Sequence, residues 1–439
     1  MGEGMVNTVE ASPHDKATAF IAFSKHKWND NTPHIFKTTD YGRTWARMVN
    51  GIRDGDVVRV VREDPVRKNL LYAGAETGAY MSFDGGAFWE PLQLNLPTVP
   101  VTDLQIREDD LVASTEGRAF WILDDLSPLR EHTSSARTSA QLFKPRRTFR
   151  VYGEGDTETS RGQNPPPGAI IYYWLPQVPD SSTYVTLEFM DASGAVVRKL
   201  TSEKQKAVEA PGAQAPKALS ATRGLNRAVW DLRRENISRV PGILLLGSPQ
   251  GYRVPAGTYS VRLTAGRTLL TQPLQVASDP RVNLTDAELA AQQQMISAIY
   301  TRVNEIHQSA IGLREVRDQV NALVNRMKDK PGGDTIGKAG KALVAQVDAI
   351  EGRLIQPRSK TFQDVINFRN GLSDQYLFLA EGLDGADAPV TQGMRERIAS
   401  LDEAWTESNK TVKEILERSV TGFNALVKER GVPAVVVKE

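Results

Sequence analysis

Two copies of one short motif constrain the fold of this chain more than any other feature. Residues 82–89 read SFDGGAFW, and residues 38–45, which begin 44 positions earlier, read TTDYGRTW. In each copy a hydroxyl residue is followed by Asp two positions on, by Gly two further on, and by a closing Trp. This pattern predicts a hairpin turn in which the Asp accepts backbone N–H groups, the Gly adopts a conformation that other residues resist, and the Trp packs on the sheet. The motif indicates a repeated fold.

Residues 1–130 repeat one pattern of short strands three times. The middle repeat reads VVRVVR, LLYAGA and AYMSF before the second motif, whereas the third reads VTDLQIR, LVAST and AFWILDD and lacks the motif. β-Branched and aromatic runs that recur every 40–44 residues between Gly, Asp and Pro are typical of the four-stranded antiparallel blades of a β-propeller. We therefore predict a partial β-propeller of about three blades.

The next part of the chain predicts a linker and a second β domain. Residues 131–167 are rich in Gly, Ser and Pro and are predicted to form a linker with one candidate strand, in QLFKPRRTFRVY. Residues 168–278 contain runs such as AIIYYWLP and GTYSVRLTAG, whose alternation favours an immunoglobulin-like β-sandwich. Its long segment ENISRVPGILLLGSPQGYRVP is apolar enough to pack on a neighbouring element.

Residues 279–439 change to helical spacing and predict a C-terminal helical bundle. Thr285 and Glu288 have the spacing of a capping box, which marks a helix start. Pro-Gly-Gly at 331–333 ends that helix, and further helices are predicted over 335–356, 361–382 and 390–429. The apolar stripe of the first helix is assigned to the core rather than to a cofactor. The predicted fold class is therefore multidomain, mainly β plus α.

Composition and charge argue against several classes of function. The 54 Lys and Arg residues balance 53 Asp and Glu residues, so no global charge favours nucleic acid or an anionic membrane. The absence of Cys excludes disulfides, thiolate zinc sites and a Cys nucleophile. The N-terminal MGEGMVNTVEASP lacks the features of a signal peptide, and no apolar run is long enough to span a bilayer. The motifs GxSxG, GxxxxGK(S/T) and HExxH are absent, and no cofactor is predicted.

The runs FKTTDYGRTW, DGDVVRVVREDPVRKNLLYAGAETGAYMSFDGGAFW and LVASTEGRAFWILDDLSPLR resemble large bacterial BNR repeat proteins, in which the motif is called an Asp-box. The resemblance extends through LNRAVWDLR, VPAGTYSVRLTAG and FRNGLSDQYLFLAEGLDGAD to the whole chain. Such proteins are often labelled glycosyl hydrolases and are related in architecture to sialidase-type and sortilin-type propellers. The resemblance implies a carbohydrate substrate or ligand and an exported location. Because these proteins are much longer, it also implies that this chain is similar to their last third.

Three blades would form an open arc with an uncovered sheet at each end, an arrangement that proteins usually avoid. Either the chain is part of a longer protein, or another element or a second copy closes the arc. We favour a homo-oligomer in which two arcs of three blades make a six-bladed ring.

The repeat also predicts which loops lie together. In a four-stranded blade the turn after the third strand, where the motif lies, and the loop after the second strand are at opposite ends. Aligning AGAETGAYMS with ASTEGRAFWI places Glu76 and Glu116 at equivalent positions in adjacent blades. Glycoside cleavage requires two carboxylates, separated by about 5–5.5 Å for retention or about 6.5–9.5 Å for inversion. Glu76 and Glu116 are therefore the candidate catalytic residues.

Further polar and aromatic side chains are predicted to surround this pair. The candidate substrate-binding residues are Trp28, His26, Asp30, Arg118, Asp56 and Asp103. An indole such as that of Trp28 can stack on a sugar face and raise the pKa of a nearby carboxyl group. His26, His34 and Asp30 could hold a metal, but their spacing is loose, and a solvated loop without metal is favoured.

Two functional hypotheses follow. The first is a glycoside hydrolase that acts on small or terminal glycosides, such as a β-glycosidase, through Glu76 and Glu116. The resembled proteins often have His where Glu116 stands, and sialidase chemistry needs an arginine triad and a tyrosine nucleophile, for which only Arg118 is well placed. A sialic acid substrate is therefore not predicted. The second hypothesis is a non-catalytic module of an exported protein that binds glycan or protein, because no complete catalytic signature is present.

Overall fold

The computed structural model describes residues 2–132, 138–152, 162–180, 183–207 and 214–432. The chain divides into two compact units, Met1–Ser139 and Ala140–Glu439. Unit 1 consists mainly of short β-strands, and unit 2 combines β-strands with long helices. Within the described ranges, no helix has both the length and the apolar character needed to cross a membrane.

Unit 1 contains three antiparallel sheets that follow one another along the chain. Their strands are, for sheet 1, β1 (Met5–Ala11), β2 (Ala19–Ser24), β3 (Ile35–Thr38) and β4 (Ala46–Arg47); for sheet 2, β5 (Val58–Glu63), β6 (Leu71–Ala75), β7 (Gly78–Ser82) and β8 (Glu90–Pro91); and for sheet 3, β9 (Val101–Arg107), β10 (Asp110–Thr115) and β11 (Phe120–Leu123). Within each sheet, strands that follow one another along the chain pair with each other. A short helix, α1 (Ser127–Glu131), follows sheet 3. The short antiparallel strands predicted from the repeated pattern are therefore present.

The two motifs form the turns after β3 and β7, with the predicted hydrogen bonds. In the first turn the Thr44 amide donates to Asp40 Oδ1 at 2.9 Å, and in the second the Phe88 amide donates to Asp84 Oδ1 at 2.9 Å. The central glycines have φ values of 86° and 93°, in the left-handed region that favours glycine. Both turns are local structures that their own eight residues specify.

The closing tryptophans of the two motifs differ in burial. Trp89 is completely buried, and its indole Nε1 donates at 3.0 Å to the carbonyl of Met48, which follows β4 of sheet 1. Trp45 is only partly buried, and its Nε1 donates to the Gly42 carbonyl within its own turn at 3.1 Å. The difference arises because Trp89 packs back onto the preceding sheet, whereas sheet 1 has no preceding sheet in the described residues.

The three sheets of unit 1 are stacked face to face in chain order. One core lies between sheets 1 and 2 and includes Phe20, Ala22, Ile35, Val58, Val61 and Leu71. A second core lies between sheets 2 and 3 and includes Val60, Tyr72, Ala79, Val101, Leu104 and Ala113. Sheet 2 is thus covered on both faces, which explains why every residue of β6 is buried.

The first strands of the three sheets share one irregularity. Each of β1, β5 and β9 has a β-bulge after its first residues, where the pairing with the second strand skips one position. The extra residues are Asn7, Arg59 and Thr102, which are therefore equivalent in the three sheets. A bulge re-aims the side chain of the extra residue and often lies beside a functional site.

Unit 2 begins with two sheets that enclose one core. Sheet 4 consists of β12 (Gln141–Leu142), β14 (Ala169–Leu175) and β17 (Gly224–Trp230); sheet 5 consists of β13 (Thr148–Arg150), β19 (Thr268–Ser278), β18 (Gly257–Ala265), β15 (Val185–Met190) and β16 (Val196–Thr201). Both sheets contribute to the shared core, where the rings of Phe189 and Trp230 stack at 4.4 Å. The predicted linker contributes β12 and β13 to these sheets, and its residues 133–137 and 153–161 lie outside the described residues.

The C-terminal part of unit 2 is helical. Its helices are α2 (Asp286–Met327), α3 (Gly333–Leu354), α4 (Leu372–Asp384), α5 (Gln392–Glu414) and α6 (Val420–Glu429), with a π-helical turn at Ile415–Ser419 between the last two. The predicted capping box is present: the Glu288 amide donates to Thr285 Oγ1 at 3.3 Å, and the Thr285 amide donates to Glu288 Oε2 at 2.9 Å. The helix predicted over 361–382 is interrupted, since Phe362–Ile366 forms a 3-10 turn and α4 begins only after Gly371, which contacts the Ile355 backbone too closely for a side chain.

The long segment between β17 and β18 packs into the helices. Ile237, Val240, Ile243 and Leu245 from this segment belong to the same buried cluster as the apolar residues of α2, α3 and α4. The sequence predicted that this segment would pack on a neighbouring element, and that prediction is confirmed. The helical core is therefore completed by residues from the β part of unit 2.

We expect Trp89→Ala to destabilise unit 1 by about 3–5 kcal/mol, because it removes a fully buried indole from the core between sheets 1 and 2. Trp45→Ala, the matched change in the other motif, should cost only about 1 kcal/mol because that indole is partly exposed. Urea unfolding followed by circular dichroism measures both losses. Equal losses would contradict the different packing of the two turns.

Candidate functional site

The loops that follow the second strands lie at one end of the three sheets. In sheet 1, β2 ends at Ser24, which pairs with Met5 at the start of β1. In sheets 2 and 3, the Glu76 amide donates to the Val57 carbonyl at 3.1 Å and the Glu116 amide donates to the Pro100 carbonyl at 3.0 Å, immediately before β5 and β9. We call this the loop end. Glu76 and Glu116 therefore occupy equivalent positions in two sheets that pack on each other.

The two motif turns lie at the opposite end. Thr38, where the first motif begins, pairs with Ala19, and Ala19 pairs with Ala11 at the end of β1. Ser82, where the second motif begins, pairs with Leu71, and Leu71 pairs with Glu63 at the end of β5. The first strands thus begin at the loop end and finish at the motif end. The aspartates of the motifs serve their own turns and do not face the loop end.

The bulged residues of the first strands contribute to the loop end. Arg59 bonds Glu76 of the same sheet: its Nε donates to Oε1 at 2.6 Å, and a terminal nitrogen also contacts that oxygen. Asn7 accepts a hydrogen bond from Ser24 at 3.3 Å. Thr102 shares a hydrogen bond of 2.8 Å with Ser114. These three residues are not among the predicted site residues, although aligning VNTV, VRVV and VTDL places a polar residue in the same column of each repeat.

The two candidate catalytic residues have different surroundings. The Arg59 guanidinium holds the Glu76 carboxylate in place and balances its charge. Both side chains are about two-thirds buried. Glu116 is exposed, and among the ion pairs of the described residues none includes it. The structure thus provides one anchored and one free carboxylate at equivalent positions.

Asp56 is buried and fully engaged within the chain. Its carboxylate accepts hydrogen bonds from the Thr77 amide at 3.0 Å, the Thr77 hydroxyl at 2.6 Å and the Tyr80 hydroxyl at 2.7 Å. Burial, reinforced by the Asp56 carboxylate, raises the pKa of Tyr80. Asp56 is predicted as a substrate contact, and in the structure its carboxylate bonds residues of the turn that carries Glu76.

Asp103 lies on β9 and takes part in an ion pair between sheets. It accepts a hydrogen bond from the Arg62 guanidinium of β5 at 2.8 Å. Arg118, in the loop between β10 and β11, is exposed, and its carbonyl accepts a hydrogen bond from the Trp121 indole at 3.0 Å. The Asp103 side chain is 45% exposed but paired with Arg62, whereas the exposed Arg118 side chain forms no ion pair within the described residues.

The loop between β2 and β3 is ordered by its own hydrogen bonds. His26–Trp28 forms a 3-10 turn, and the Trp28 indole is half exposed. Asp30 accepts hydrogen bonds from the Thr32 hydroxyl at 2.6 Å and the Thr32 amide at 3.0 Å, which lower its pKa to about 2 from 3.8. His34 lies 3.4 Å from Asp30, and burial lowers the pKa of the imidazole. In the described residues no cluster of three His, Asp or Glu side chains could hold a metal ion.

Comparison with known proteins gives partial matches in structure only. No protein-family model and no curated protein matches this chain. Among solved structures, YCF48 bound to D1 peptide is 14% identical with a TM-score of 0.22, over 62% of this chain and 67% of that chain. The GH74 enzyme of Niastella koreensis is 13% identical with a TM-score of 0.23, over 62% and 46%. The GH74 xyloglucanase of Xanthomonas campestris is 13% identical with a TM-score of 0.21, over 61% and 38%.

The chain thus spans less than half the length of these two GH74 enzymes. Because the TM-scores are 0.21–0.23, the superpositions carry no argument about this chain's chemistry.

We expect Thr32→Val to raise the pKa of Asp30 from about 2 toward 3.8, since the hydroxyl bond is the largest cause of the shift. In the native protein the stability contributed by ionised Asp30 is complete above 3.8 and is lost as the pH falls toward 2. The variant should lose it at higher pH. Carboxyl chemical shifts measured through an acid titration test this, with Thr44→Val as a control that leaves Asp30 unchanged. An unaltered Asp30 titration in Thr32→Val would contradict the assignment.

Proposed function

We propose that this protein is a glycoside hydrolase that acts on small or terminal glycosides at the loop end, with Glu76 and Glu116 as its carboxylate pair. One observation carries the proposal: the two glutamates occupy equivalent positions in neighbouring sheets, yet only Glu76 is bound to an arginine. Paired carboxylates in unequal surroundings are suited to the two different roles that glycoside cleavage requires.

In this proposal Glu76 acts as the anion. The Arg59 guanidinium holds it in one position, which suits attack on the anomeric carbon or removal of the proton from an attacking water. Glu116 donates its proton to the glycosidic oxygen as the bond to the anomeric carbon breaks.

The remaining predicted residues have unequal parts in this proposal. The half-exposed indole of Trp28 offers a flat apolar surface for a sugar ring, and His26 and Arg118 supply polar groups beside it. Asp30, Asp56 and Asp103 hold protein groups in place rather than the ligand.

A second candidate is a non-catalytic module that binds glycan or protein at the same loop end. It is favoured by the engagement of Asp30, Asp56 and Asp103 within the chain, which leaves few free carboxylates for chemistry. A binding module would need only the exposed indole of Trp28 and the polar groups around it.

We also propose that sheets 1–3 are blades of an Asp-box propeller and that sheets 4 and 5 form an immunoglobulin-like sandwich. The first assignment is supported by the recurrent bulge and by the hydrogen bonds of the two motif turns. The second is supported by the shared core between the two sheets.

A panel of aryl glycosides tests the hydrolase proposal. Wild-type protein should turn over at least one galactoside, glucoside, xyloside or N-acetylhexosaminide, and Glu76→Gln and Glu116→Gln should each lower kcat/KM by about 10²–10⁴-fold. Glu108→Gln is the matched control, because Glu108 is exposed like Glu116 but lies at the motif end of sheet 3. It should leave turnover unchanged.

The outcomes separate the two candidates. Turnover that persists in both Gln variants would reject Glu76 and Glu116 as the catalytic pair but not the proposal that the protein is a glycoside hydrolase. No turnover on any substrate would reject the hydrolase. Glycan-array binding that Trp28→Ala abolishes would then support the binding module.

A further inference from the structure

In each sheet of unit 1, we call the face toward the preceding sheet the front face and the face toward the following sheet the back face. The front face of sheet 1 is exposed at positions whose equivalents in sheets 2 and 3 are buried. The bulge makes Val6 equivalent to Val58 and Val101, which are both completely buried, yet Val6 is 50% exposed. Likewise Val9 is 62% exposed, although its counterparts Val61 and Leu104 are completely buried. The counterparts are covered by the preceding sheet. Sheet 1 therefore presents an apolar face shaped to receive another sheet.

The back face of sheet 3 is uncovered in the complementary way. The equivalent of Phe120 is Ile35 in sheet 1 and Ala79 in sheet 2. Their pairing partners, Ser114, Ala22 and Gly74, occupy the same position in the second strand of each sheet. Ile35 and Ala79 are buried against the following sheet, whereas Phe120 is 75% exposed. Ile122, on the same face of β11, is 57% exposed.

The contacts within the chain show how such faces join. The Thr8 hydroxyl of sheet 1 donates to the Arg59 carbonyl of sheet 2 at 3.0 Å, and Arg62 Nε of sheet 2 donates to the Leu104 carbonyl of sheet 3 at 2.8 Å. In both cases a first strand donates side-chain hydrogen bonds to the backbone of the next first strand. The packing is therefore head to tail, with the back of one sheet on the front of the next.

We propose that the face formed by Phe120 and Ile122 binds the face formed by Val6 and Val9 on a second copy of this chain. The contact would repeat the two sheet junctions already present in unit 1. At this contact the Gln105 side chain would donate to the Val9 carbonyl of the second copy. Gln105 is the counterpart of Arg62, and Val9 is the counterpart of Leu104. The head-to-tail junction, which already occurs twice in unit 1, would therefore select a second copy as the partner.

Two copies are sufficient to close the assembly. Each copy offers one front face and one back face, so a pair forms two identical head-to-tail contacts. The pair would contain six stacked sheets, within the range of about four to eight blades in closed propellers, whereas three copies would exceed it. Closure would also bring the loop ends of both copies, each with Glu76 and Glu116, around one axis. The contact between copies would form whether or not those residues are catalytic.

The mass in solution gives the first test. Light scattering on the full chain should give twice the 48.4 kDa mass of one chain. Phe120→Glu combined with Ile122→Glu should return it to a single chain, because charges would be buried in the contact. Val66→Glu is the matched control, since Val66 is 66% exposed in the turn between β5 and β6, and it should leave the mass of the pair unchanged. A wild-type monomer at all concentrations, or an open-ended polymer, would overturn the closed pair.

Cross-linking tests the head-to-tail order, and the absence of native cysteine removes background reaction. Gln105→Cys and Val9→Cys change exposed side chains, so both variants should keep the wild-type circular dichroism spectrum. A short bismaleimide should link a mixture of the two variants into a covalent pair and should leave each variant alone unlinked. Linkage of Val9→Cys to itself, or no linkage in a mixture that light scattering shows to be paired, would overturn the proposed contact.

Discussion

The order of the β unit depends on one arginine that joins all three of its sheets. Arg62 of β5 donates to Glu10 of β1 at 3.2 Å, and to Asp103 and the Leu104 carbonyl of β9 at 2.8 Å each. Its side chain is only 16% exposed, so these hydrogen bonds form where water competes weakly. Burial raises the pKa of the Glu10 carboxyl, although the nearby Arg62 opposes that rise. The arrangement holds the first strands side by side and so gathers their loops at one end.

The carboxylates of the loop end differ in what they contact. Asp56 supports the turn of Glu76, Asp30 orders the loop of Trp28, and Asp103 bonds the central arginine. Their hydrogen bonds hold loop-end residues in place, as a binding or catalytic site requires. Glu76 and Glu116 remain, one fixed by a cation and one open to solvent. The proposed hydrolysis and the alternative of simple binding both depend on that difference.

Unit 2 shows why a promising pair of residues need not be a site. His307 Nε2 lies 2.5 Å from the Ser373 hydroxyl, a pairing that resembles an activated nucleophile. Both residues are completely buried within the helical part, and the other imidazole nitrogen contacts the Ser238 carbonyl. Burial lowers the pKa of His307, so a neutral imidazole joins α2 to α4 and to the packed segment between β17 and β18. Without access for a substrate, the pair is structural.

The sequence by itself determined the features whose hydrogen bonds are local. The turns at Asp40 and Asp84 and the cap at Thr285 close within four residues, and the spacing of the repeats predicted the equivalence of Glu76 and Glu116. Only the tertiary structure decided what those glutamates touch. Arg59 reaches Glu76 because a bulge, which strand alternation does not reveal, places both side chains at one end. The burial of Asp56 and the exposure of Phe120 likewise depend on which neighbouring residues or sheets pack against them, and a linear pattern does not contain that information.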